Sequence, residues 1–158
     1  MANSYENLTE MIVKSYETQL SLYRYRKYQL SQIQKHIHDL ESTMYEVSSV
    51  AFDKMPGQHD ADGYQRHLVS CITKKQELER RKRNIEKQIH NIELFLNSLN
   101  EEDRAFIDRT IIYKQNDTNE RLAMRMELTE GGVRYKGKTI IRRYVREKLK
   151  VEKGGMIE

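Results

Sequence analysis

From Leu30 to Ala51 the apolar residues recur at alternating intervals of four and three: Leu30, Ile33, Ile37, Leu40, Met44, Val47 and Ala51, with Arg26 one step upstream. A spacing that averages 3.5 residues keeps one helical seam facing a partner helix. Followed upstream, the seam meets Tyr23, Gln19, Tyr16, Ile12, Thr9 and Tyr5, and so becomes weaker and more aromatic. A helix over about 45 residues would be roughly 65–70 Å long, too long to bury its own stripe, so it needs a partner. A second stripe supplies one: Tyr64, Leu68, Cys71, Lys75, Leu78, Lys82, Ile85, Ile89, Ile92, Leu96 and Leu99. Between them, residues 53–63 hold the only Pro, two Gly and three Asp, which marks a loop with Asp60 or Asp62 as a helix cap. The economical arrangement is a long antiparallel hairpin over residues 1–99. Lys75 and Lys82 on the second stripe predict that its loop-proximal half is under-packed.

The rest of the composition agrees with an all-α chain. Charged residues make up 33% and hydrophobic ones 37%, without Trp, which suits long exposed helices better than a compact globule. One cysteine excludes a disulfide framework within the chain and a multi-cysteine zinc site. No apolar run reaches the ~20 residues of a membrane span, so no membrane partner is expected. The N-terminus lacks the basic and apolar regions of a signal peptide, so a soluble cytoplasmic protein is expected.

The last third changes character. Asn100 followed by Glu101, Glu102 and Asp103 reads as a capped helix start. That helix carries Phe106, Ile107, Ile111 and Ile112 and ends before Asn116. Asp117 with Glu120 fits a capping box for a short helix bearing Leu122, Ala123 and Met126. Thr129–Gly137 reads as a glycine-rich break. A final helix from Lys138 or Thr139 carries Ile140, Ile141, Tyr144, Val145 and Leu149. Three short helices over residues 100–153 are the minimum of a helix-turn-helix domain, with a frayed tail over 154–158.

The basic end of this domain carries the functional signal. Residues 134–153 contain nine Lys/Arg and two acids, a local +7 against +4 for the whole chain. Such a patch meets phosphate, and guanidinium forks can also read guanine edges. The candidate DNA-binding residues are Arg134, Lys136, Lys138, Thr139, Arg142, Arg143, Arg146 and Lys150. The bland alternative is a solvated helix face that suits the helix dipole.

Other motifs carry less. Gly132-Val-Arg-Tyr-Lys-Gly-Lys-Thr139 spells the phosphate-loop pattern, but no buried parallel strand precedes it and too little chain follows for a parallel sheet. Tyr23-Arg-Tyr-Arg-Lys-Tyr28 mixes aromatics with cations, yet on a helix these fan around the axis and suit packing with a solvated rim. The five histidines show no pair at i, i+4, so no metal site is expected. Cys71 lies on the apolar stripe and reads as a small hydrophobe. No catalytic constellation emerges, so no enzyme activity and no cofactor are expected.

Taken in order, Met55–Gly57, Ser98–Ile107, Tyr113, Leu122-Ala123 and Thr139–Leu149 resemble the ArpU/RinA-type late transcription regulators of phages and prophages of Gram-positive bacteria. The C-terminal part of that family is similar to the helix-turn-helix of sigma-factor region four. The resemblance covers residues 53–150. It aligns Leu122-Ala123 with the first helix of the motif, Thr139 and Ile140 with the start of the recognition helix, and Arg142, Arg143 and Arg146 with its groove-facing positions. The family's turn is short, whereas Glu127–Lys138 is long and has three glycines. The resemblance implies a late-gene activator that binds double-stranded DNA, as a homodimer, with the hairpin serving dimerisation or contact with RNA polymerase. The rival readings are a phage small terminase subunit and a coiled-coil adaptor that does not bind DNA.

Overall fold

A computed structural model describes residues 2–52, 61–114 and 117–154, without side chains at 2–3, 47–52, 61–62 and 153. It is all-helical, as the periodicity requires. Helix α1 spans Ala2–Phe52 and α2 spans Ala61–Ser98. Helix α3, Glu101–Ile107, continues into a π-helical turn over Asp108–Ile112; α4 spans Asn119–Arg125 and α5 spans Glu130–Gly154. Among the described residues, no helix is long and apolar enough to cross a membrane. The expected cap at Asp60 and the Met55–Gly57 motif lie outside the described residues. So does the tail beyond Gly154, which itself closes α5. Asp62 falls inside α2, three residues into what the sequence suggested was loop, so it is not a cap.

Two compact units form, and their division differs from the expected one at residue 100. One unit comprises 1–24 with 89–158, and the other comprises 25–88. The first unit joins the N-terminal half of α1 and the end of α2 to the three C-terminal helices. Its core contains Val13, Leu20, Ile92, Phe95, Ile107, Leu122, Ile141 and Val145, all nearly inaccessible to solvent. Tyr16, Phe95 and Tyr144 form an aromatic triangle with centroids 5.1–5.7 Å apart and tilted or edge-on rings, the arrangement their quadrupoles favour. Burial pushes the Tyr16 and Tyr144 phenols above their ordinary pKa. Tyr23, also buried, donates from its hydroxyl to Glu93 at 3.2 Å, and Arg24 lies 5.1 Å over the Tyr113 ring.

The second unit is thinner, as Lys75 and Lys82 foretold. Of its described apolar side chains only Ile33 and Cys71 are buried, while Leu30, Ile37, Leu40, Leu78 and Ile85 are half-buried on the seam. Lys75 leaves the seam to pair with Glu41 of α1 at 2.9 Å. Tyr25 and Tyr28 remain largely exposed, which agrees with a solvated rim.

The short helices start at caps, one of them not where the sequence suggested. The Asn100 side chain accepts from Asp103 N–H at 2.8 Å, as expected. At α4 the cap is Thr118, which accepts from Arg121 N–H at 3.3 Å, and not Asp117. Asp117 instead accepts from Arg125 at 2.9 Å.

The larger correction concerns residues 129–137. No break exists there: α5 begins at Glu130, eight residues before the expected start. Thr129 caps it, accepting from Gly132 N–H at 3.0 Å. Val133 and Gly137 extend the buried stripe of Ile140, Ile141 and Val145 backwards by two turns, so packing overrides the poor helix propensity of glycine. A Cβ built on Gly137 would lie 3.9 Å from both Ile111 and Phe106, which is ordinary contact. Gly137→Ala is therefore expected to stabilise the fold by about 0.5–1 kcal/mol in urea unfolding. Gly132→Ala should gain less, because its Cβ would press on the Thr129 hydroxyl at 3.2 Å.

Candidate nucleic-acid interface

With α5 starting at Glu130, the connection from α4 shrinks to four residues, Met126–Thr129. It turns through Glu127 at φ 55°, the left-handed region, and Leu128 N–H returns to Ala123 O at 2.9 Å. Helix α4, this tight turn and the longer α5, which packs on α4, follow in the order that a helix-turn-helix requires. The long glycine-rich turn read from the sequence is thus corrected to a short one.

One face of α5 carries most of the candidates. Tyr135, Thr139, Arg142, Arg146 and Lys150 recur at intervals of three and four, with Arg143 beside them, opposite the buried Ile140 and Ile141. Thr139, Arg142, Arg143 and Arg146 line one groove together with Tyr135. Tyr135 is 70% exposed, and sequence reading missed it because it fell inside the supposed break. Arg134 and Lys138 are exposed near the start of the helix, but helix spacing puts Arg134 in line with the buried Ile141 and Val145 and Lys138 about a quarter turn from the centre of this face. Among the described residues Arg134 has only a loose ion pair, with Glu130 at 3.9 Å.

Lys136 does not belong to the face. Seven residues before Arg143, it lies nearly in line with that arginine on the helix, so its contacts and not its position around the axis set it apart. Its ammonium sits 4.8 Å over the Phe106 ring and pairs with Glu102 at 3.4 Å, so it packs α5 on α3. Arg143 pairs with Asp103 at 3.3 Å, an exposed contact that water and phosphate can compete for.

Arg142 is the most engaged cation. Its Nε donates to Glu10 Oε1 of α1 at 2.7 Å, across 132 residues of sequence. Glu6 and Thr9 line the same groove. The hydrogen bond from Arg142 holds the Glu10 carboxyl below its ordinary pKa, and Glu10 in turn raises that of Arg142. A depressed carboxyl is charged above its unfolded pKa, so this contact persists at neutral pH and is lost as pH falls through the lowered value. The charge pattern of the α5 segment could not show this contact, because the acid lies in α1.

Chemically, the face offers guanidinium, ammonium and hydroxyl donors that can hold phosphate oxygens, with Arg134, Tyr135 and Lys138 in the first turns of the helix. Comparison with known proteins finds no matching family model, no matching curated protein and no matching solved structure.

Proposed function

We propose that this chain binds duplex DNA through α4 and α5, with the N-terminal half of α5 in the major groove. The observation that carries the reading is the four-residue turn Met126–Thr129 leading into a helix whose solvent face is cationic. In a helix-turn-helix the first residues of the second helix meet base edges and the remainder meet the backbone. On that pattern Arg134, Tyr135 and Lys138 read bases, while Thr139, Arg143, Arg146 and Lys150 hold phosphates. The resemblance to ArpU/RinA-type regulators supports a more specific role, activation of phage late genes by a dimer that contacts RNA polymerase. That role rests on the resemblance alone.

The test is a binding titration against fragments of the source genome at several salt concentrations. One preferred fragment and a steep salt dependence are expected. Preference for a promoter region supports the regulator, whereas preference for a packaging site, with a ring-sized native mass, supports a terminase subunit. Absence of binding at low salt sinks the DNA reading and leaves the adaptor.

A further inference from the structure

We propose that Glu10 is a specificity-determining residue: its carboxylate occupies Arg142 where a nucleic-acid phosphate would sit, and so suppresses binding that depends on phosphate alone. The inference rests on the reading of α5 as the DNA-facing helix.

Carboxylate and phosphate oxygens compete for the same guanidinium donors. Glu10 already meets Arg142 at 2.7 Å, and Glu6 lines the same groove beside Thr139, Arg143 and Arg146. A phosphate approaching Arg142 must displace one carboxylate and tolerate a second. Stabilisation is a poor explanation for the pair. The Glu10 side chain is 52% exposed, and exposed pairs contribute little to folding. Its effect on binding is larger, because a like charge in a contact surface penalises the wrong partner. Non-specific binding is almost wholly phosphate attraction, whereas specific binding adds base-edge contacts. Among the described residues Arg134, at the start of α5, pairs only loosely and only within its own helix, so its base contact escapes the penalty, which falls in part on Lys138, a neighbour of Glu10 in an adjoining groove. The acids therefore lower affinity for arbitrary duplex more than for the preferred site.

The test compares full-length wild type with Glu10→Gln, Arg142→Ala and the double variant. Each is titrated with a random-sequence duplex and with the preferred genomic fragment, and far-UV circular dichroism confirms that each is folded. In Glu10→Gln, random duplex is expected to bind about three-fold or more tighter at low salt, with a salt slope steeper by about 0.9, one added phosphate contact. The preferred fragment gains less, so the preference ratio falls. In the Arg142→Ala background, Glu10→Gln changes nothing. Wild-type binding that Glu10→Gln leaves unaltered overturns the inference and spares the DNA reading. An equal gain with and without Arg142 overturns it as well, since the carboxylate then acts through the general field. If neither wild type nor Glu10→Gln binds any duplex, the DNA reading fails and takes this inference with it.

Discussion

Phe95→Ala is expected to lower the unfolding free energy by about 3–5 kcal/mol, the range for removing a fully buried aromatic ring. Phe95 has no solvent exposure and touches the rings of both Tyr16 and Tyr144. Three helices therefore meet at this one side chain: α1, α2 and α5. The cavity cannot close by a small local shift, because each wall belongs to a different helix. Thermal unfolding should fall by roughly 6–20 °C for a chain of this size. Phe95→Leu, which keeps much of the volume, should cost clearly less. A loss below about 1 kcal/mol for the alanine variant would show that the triangle is not where α5 is anchored. Because α5 is held there, Phe95→Ala should also weaken DNA binding, although Phe95 is remote from the cationic face in chemical terms.

Arg134→Ala with Lys138→Ala is expected to weaken binding to the preferred DNA fragment by about 2–4 kcal/mol, or roughly 30- to 1000-fold. Both side chains are exposed and lie in the first three turns of α5, so the fold should tolerate the change. The loss should fall mainly on the preferred fragment, with a smaller loss on random duplex. Arg143→Ala with Arg146→Ala should do the reverse, weakening all duplexes alike and lowering the salt slope by about 1.8. Lys136→Ala separates packing from binding, since it uncovers Phe106 and lowers stability while leaving DNA affinity of the folded protein unchanged. Equal effects of the two double variants on random and preferred duplex would refute the division into reading and holding residues.

Local physics explains which features were legible in the sequence. The 4,3 spacing of α1 and α2 and the Asn100 cap are short-range signals, and the structure follows them except in the first half of α1, where Val13 and Leu20 are buried in place of the expected Ile12 and Gln19. Residues 129–137 misled because three glycines outweigh one valine in any local reading. The stripe that makes them helical depends on the burial of Val133 and on Gly137 lying near Phe106 and Ile111, which is tertiary packing. Thr118 and Asp117 are adjacent capping candidates, and the pairing of Asp117 with Arg125 decided between them. Phe95 was overlooked because it sits beside Leu96 and off the regular stripe; the third partner that buries it, α5, comes fifty residues later. The Glu10–Arg142 pair is the extreme case, since neither residue is unusual in its own neighbourhood.

That long span also orders events during synthesis. Glu10 leaves the ribosome well before Arg142, which follows 132 residues later. At ordinary elongation rates the interval is roughly ten seconds. Throughout it the inner face of α1, with Val13, Leu20 and Tyr16, has no α5 to cover it. A nascent chain thus carries an open apolar surface and cannot engage DNA. The helix that would read sequence and the surface that seats it become complete in one late step.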